Sequence, residues 1–136
     1  RVYSFTVTPA SDGAVTVDVS GAAAQDGAGN DTTAAAQLSV TADGSVPTLV
    51  LSTTATSPHS GAFSVTATFS EDVTGFDASD LVLSNGTAGT ITASSASVYS
   101  FDVTPTADGA VTVDIAGSAA QDGAGNTSTA ASAYFR

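Results

Sequence analysis

The chain has no cysteine, which excludes both a disulfide scaffold and a thiolate metal site. It has no lysine either. Two arginines stand against 13 acidic residues, for a formal net charge of −11. That sign argues against nucleic acid and anionic membrane surfaces as partners. It suits a chain that meets cations or is kept soluble in salt water. No apolar run approaches the ~20 residues a spanning helix needs, so direct membrane insertion is not expected, and no signal-peptide pattern is present. Tryptophan is absent, and most Phe and Tyr residues fall on the inward phase of strands, which weakens a sugar-binding reading. The one histidine, His59, lies in a polar, Pro-containing loop without a Ser or Asp partner. Asp122 to Asn126 lacks the lysine and following helix of a phosphate-binding loop. No enzyme is expected.

What the chain does have is a repeated stretch. Val98 to Asn126 reads as strand, tight turn, strand and an acidic glycine-rich loop. Tyr99, Phe101 and Val103 alternate with Ser100, Asp102 and Thr104, the period of a half-buried strand. Beyond Asp108-Gly109, Val111, Val113 and Ile115 alternate in the same way, and both charged side chains fall on the outward phase. Val2 to Asn30 repeats this at an offset of 98 − 2 = 96 residues, with about 24 of the 33 positions from Arg1 to Thr33 identical. A period of that size suits a small domain, since an immunoglobulin-type sandwich needs about 100 residues. The expected organisation is therefore a C-terminal half-unit over 1–44, a short linker over 45–47 and a complete unit over 48–136. A half repeat beginning at Arg1 suggests a segment of a longer protein.

The half-unit is expected to hold strands at Val2 to Thr8, Ala14 to Ser20 and about Ala35 to Thr41. The complete unit offers Thr48 to Ser52, Phe63 to Ser70, Leu81 to Leu83, a weak strand at Thr90 to Ala93, the Val98–Ile115 pair and a last strand to Phe135. Ser84-Asn85-Gly86-Thr87 is a strong turn signal. About seven short antiparallel strands with turns between them, and no helical periodicity, predict an all-β, immunoglobulin-like sandwich. Phe63, Val65, Phe69, Leu81, Tyr99, Phe101, Val111, Val113 and Ile115 are its expected core. Ser64, Thr66, Asp102, Thr112 and Asp114 should face water.

Phe69 to Thr87, Thr104 to Gly117 and Ala119 to Asn126 resemble the bacterial Ig-like repeats of giant secreted surface proteins. The resemblance covers the complete unit and, by repetition, the half-unit. It implies a stalk of an extracellular adhesin or related cell-surface protein of a bacterium, with neighbouring repeats as partners and often Ca²⁺ near the joints. Ser45-Val46-Pro47 departs from relatives that carry an acidic run there. The Lys–Asn crosslinks of some surface-protein Ig domains are excluded with lysine absent.

In such a sandwich the loop Glu71–Asp80 and the loop Asp122–Asn126 share the N-terminal pole, where the linker bearing Asp43 also enters, and the Asp12-Gly13 turn would face the same joint. Gathered carboxylates repel unless a cation is present, and Ca²⁺ takes six to eight oxygens in irregular geometry. Glu71 (the only glutamate), Asp72, Asp122, Asn126 and Asp43 are the candidate ligands. The competing reading makes the aspartates turn formers, most strongly Asp12 and Asp108, each directly before glycine. Asn30-Asp31-Thr32, Asn85-Gly86-Thr87 and Asn126-Thr127-Ser128 fit a glycosylation triplet but read as turns. Two further functions remain open: a filament subunit or homo-oligomer that completes its half-unit with a neighbour's strands, and a sugar-binding module.

Overall fold

A computed structural model describes residues 1–135. They divide into two compact units, Arg1–Gly44 and a second that begins at Ser45. Among the described residues the regular structure is β apart from one 3₁₀ turn, and no helix is long and apolar enough to cross a membrane.

The first unit holds two strands, β1 (Gly13–Val17) and β2 (Leu38–Ala42), paired antiparallel with Val15 opposite Val40 and Val17 opposite Leu38. Directly opposite residues share a face, so these four apolar side chains form one stripe. Val15 and Val17 are half-buried, and Leu38 and Val40 are exposed. The strand expected over Val2 to Thr8 is not formed: that segment has no ladder partner and every residue in it is exposed. Alternation marks which face a strand would bury, but an extended segment is held only by a neighbour's backbone.

The second unit is a two-layer sandwich. One sheet runs in the order β3 (Leu49–Ser52), β4 (Phe63–Phe69), β8 (Val98–Pro105), β6 (Gly86–Ala88), with the short β7 (Thr92–Ala93) also on β8. The other runs β10 (Ala131–Phe135), β9 (Val111–Ile115), β5 (Leu81–Ser84), and every pairing in both sheets is antiparallel. The inward phase of β4 (Phe63, Val65, Ala67, Phe69) meets that of β9 (Val111, Val113, Ile115), with Phe101 and Val103 beside them, all buried. Leu81 and Tyr99 are half-buried against that core, and Thr66 and Thr112 are half-buried rather than exposed. Ser64, Asp102 and Asp114 face water.

Two turns do something other than close hairpins. The turn after β8 carries the chain across to β9 in the opposite sheet, so the two strands of the repeated stretch do not pair with each other. The Asn85-Gly86 signal marks a second crossing, from β5 to β6. Asn85 takes a left-handed backbone (φ 57°) and its amide Nδ2 donates to the carbonyls of Ala107 (3.0 Å) and Ala110 (3.1 Å). Its Oδ1 accepts from the Thr106 hydroxyl. One side chain thus ties both crossings together. A side chain at Gly86 would crowd the core, since a Cβ would stand 3.1 Å from Val111 Cγ1 and 3.3 Å from Val103 Cγ1 and both methyls would have to give by a few tenths of an ångström.

Candidate metal centre

The pole at which the second unit begins is assembled from four segments. Pro47 is buried and its carbonyl accepts from Thr129 N at 3.0 Å. Thr48 N donates to Ser70 Oγ at 2.9 Å, while Ser70 N donates to the Thr48 carbonyl, also at 2.9 Å. The end of β4 and the start of β3 are therefore locked side by side immediately before Glu71. Thr74 and Gln121 form a reciprocal bridge, 2.8 and 3.0 Å, which draws the Glu71–Asp80 loop onto the loop that carries Asp122.

The first of these loops is held down by its apolar residues. Val73 and Phe76 are buried, although they stand among carboxylates in sequence. Phe69, Phe76 and Tyr99 meet edge to face with ring centroids 5.2–5.7 Å apart, contacts worth about 0.5–1.5 kcal/mol each beyond the area buried. The Tyr99 hydroxyl donates to the carbonyls of Val73 and Ala96. Asp77 caps the 3₁₀ turn Ala78–Asp80, accepting from Ser79 N at 2.8 Å, while Asp80 Oδ2 accepts from Asp77 N. The Ser79 hydroxyl and amide hold the Asp77 carboxyl below its ordinary pKa.

The second loop is built around Asp122, which is buried at 6% exposure. Its Oδ1 accepts from the amides of Ala124 (2.9 Å) and Asn126 (2.8 Å), and its Oδ2 from Asn126 Nδ2 at 2.9 Å. Gly125 sits at φ 90°, the left-handed conformation that lets the chain turn back so that Asp122 N reaches the Asn126 carbonyl. The Asn126 side chain first, then the backbone amides of the loop, lower the Asp122 pKa against the opposing effect of burial. The ionised carboxylate is the form this loop is made for.

Carboxylate oxygens of Glu71 and Asp122 lie within 4.8 Å of each other, close enough to share one cation. Glu71 is half-buried. Asn126 is brought to the pair through its bond to Asp122, with its Nδ2 committed to that bond, so any ligand atom it gives is its Oδ1. Asp72 is exposed and does not belong to the close pair. Asp43, also exposed, lies in the first unit four residues before Pro47. Asp12 Oδ1 accepts from Gly44 N at 2.8 Å, a bond within the first unit that ties the start of β1 to the chain just after β2 rather than closing the Asp12-Gly13 turn. Sequence reasoning placed Tyr99 in the core but overlooked the anchors Thr74, Gln121, Val73 and Phe76. The one signal for them was the apolar pair Val73 and Phe76 inside an otherwise acidic loop.

The far end of the second unit bears a cleft of about 760 Å³ between residues 53–61 and 105–109, floored by Phe63, Val111 and Phe135. His59 lies over it, exposed as expected. Its Nε2 is 3.3 Å from the Ala62 carbonyl and its ring packs edge-on against Phe63. This arrangement engages the imidazole with backbone and core rather than with an acid partner.

Five strands in one sheet, counting the short β7, and three in the other, with sequence neighbours repeatedly crossing between layers, define an immunoglobulin-type β-sandwich. Residues 43–135 match the family described as bacterial Ig-like domain, and the chain belongs to that family. Its members are typically non-catalytic and are usually carried by extracellular or surface proteins. No curated protein and no solved structure matches the chain.

Proposed function

We propose that this chain is a non-catalytic structural repeat of a bacterial extracellular adhesin or other cell-surface protein, a spacer that holds binding regions away from the cell. The observation that carries this reading is the path of the chain through the second unit. It enters beside Pro47 and Ser70 at one pole, and β10 ends at Phe135, whose ring is 5.2 Å from that of Phe63 at the other pole. Units joined in series through opposite ends add length. Small-angle scattering on one, two and three joined copies of residues 45–136 tests this, with an equal increment in maximum dimension expected per copy. A maximum dimension that fails to grow in step would refute the spacer.

We further propose that the spacer is stiffened by Ca²⁺ held by Glu71, Asp122 and Asn126, with Asp72 and the linker carboxylate Asp43 as additional donors. A site of ~10⁻⁴ M affinity at about 1 mM Ca²⁺ gains about 1.4 kcal/mol, several degrees of melting temperature. Melting in EDTA and in CaCl₂, with Glu71→Gln beside the parent, measures it. Mg²⁺ requires a tighter octahedron and should substitute poorly. Superimposable curves in EDTA and calcium would leave these carboxylates as turn formers.

A further inference from the structure

Asn85-Gly86 is the one asparagine–glycine pair in the chain, since Asn30 precedes Asp31 and Asn126 precedes Thr127. Asparagine is thermally labile, and most so before glycine, where no side chain shields the next backbone nitrogen. The fold nevertheless asks for both residues. Position 85 takes the left-handed backbone that asparagine tolerates, and its amide must donate twice to the loop after β8. Position 86 has to stay small, because a Cβ would press on the Val111 and Val103 methyls. Packing of the crossing thus sets the most reactive amide of the chain at its centre.

Three bonds decide whether it reacts. Deamidation begins when Gly86 N attacks Asn85 Cγ and closes a five-membered succinimide. The Cγ–Nδ2 bond breaks, and Nδ2 leaves as ammonia with the proton that Gly86 N gives up. Water then opens the ring at either carbonyl, leaving aspartate or isoaspartate. In the folded unit Nδ2 is committed to the carbonyls of Ala107 and Ala110, and Oδ1 to the Thr106 hydroxyl. These bonds draw the side chain towards a loop 21 to 25 positions away, and it folds back over Gly86 N only when they break. We infer that Asn85 is a deamidation site gated by the loop 105–110, unreactive while that loop is closed and released when it opens. The reaction makes the opening permanent. A carboxylate has no proton to give, so the Ala107 and Ala110 carbonyls lose both donors and face a negative charge. Isoaspartate also lengthens the main chain by one carbon between β5 and β6. Pro105 to Gly109 wall the cleft at this pole and Val111 lies in the core, so the pole loosens without return.

The test holds the full chain at mildly alkaline pH, folded and in urea, and follows all three asparagines by peptide mass mapping with isoaspartate detection. Asn85 should react first in urea, and slower on the order of 10-fold or more in the folded chain. Equal rates in the two conditions would overturn the gate, and Asn30 or Asn126 outrunning Asn85 in urea would overturn the site. Asn85→Asp supplies the product directly. It should melt several degrees below the parent, speed hydrogen exchange of the Thr106 and Val111 amides, and recover part of the deficit in acid, where the protonated carboxyl regains one donor. Melting and exchange equal to the parent would show that the reaction releases nothing. A deficit unchanged in acid would mean that the carboxylate's charge is not what opens the loop, and would overturn that step.

Discussion

Phe5 and Phe101 occupy the same place in two copies of one eight-residue sequence, Val2–Pro9 and Val98–Pro105, which differ only at Thr6 and Asp102. Phe101 is 2% exposed in a strand, and Phe5 is 71% exposed in a segment with no ladder. Twenty residues further on, the difference disappears. Asp26 accepts from Ala28 N, Asn30 N and Asn30 Nδ2, each at 2.9 Å, the same three donors that Asp122 has in its own copy. Gly29 and Gly125 sit at φ 84° and 90°, Gly13 and Gly109 at 124° and 127°, Ala22 and Ser118 at 62° and 68°. The turns are the same whether or not a sandwich surrounds them, while the strand exists only where another strand lies beside it.

The sharpest way to break this comparison is to truncate both phenylalanines. Phe101→Ala should cost the second unit about 3–5 kcal/mol, most of a small domain's stability, whereas Phe5→Ala should change melting by no more than about 0.5 kcal/mol. Similar losses from the two would mean that Val2 to Thr8 is already packed in solution. A smaller, symmetrical effect is expected in the loops. An alanine at a left-handed glycine is strained by about 1–2 kcal/mol, so Gly125→Ala should lower the melting temperature of the second unit. Gly29→Ala should disrupt the Asp26–Asn30 loop to the same degree, read from backbone chemical shifts. A perturbation at one site and none at the other would show that the loop depends on its surroundings.

The finest test is by pH. In both copies the asparagine side chain is the leading cause of a lowered aspartate pKa. A carboxyl depressed in the fold stabilises it above the unfolded value of about 3.9, and that contribution is lost as pH falls through the folded value. The second unit should therefore lose stability as pH is taken below about 3.9. Asn126→Ala should raise the Asp122 pKa and flatten that loss, and Asn30→Ala should raise that of Asp26, both followed by carboxyl NMR titration. If Asp122 alone responds, the asparagine bond lowers the aspartate pKa only where the surrounding sandwich shields it.

How much of this was legible beforehand divides along the range of the forces involved. Alternation over Phe63–Phe69, Val98–Val103 and Val111–Ile115 marked the buried face correctly, because side-chain direction in an extended chain follows from the period of two alone. The Asp-Gly-Ala-Gly-Asn loops were equally local. Each closes on its own hydrogen bonds within five residues, and they recur in both copies. The family resemblance was carried by those same stretches. Tertiary structure alone decided the rest. It set β8 and β9 in opposite sheets, turned the Asn85-Gly86 signal into a crossing pinned by a side chain, and buried Val73 and Phe76 beneath an acidic loop. It also brought Glu71 to Asp122, 51 positions apart in sequence, through the Thr74–Gln121 bridge. Above all it decided that Val98 to Pro105 is a strand and Val2 to Thr8 is not. Backbone donors and acceptors in an extended segment have no partners within that segment, so its sequence fixes the face it would bury while another strand decides whether the ladder forms.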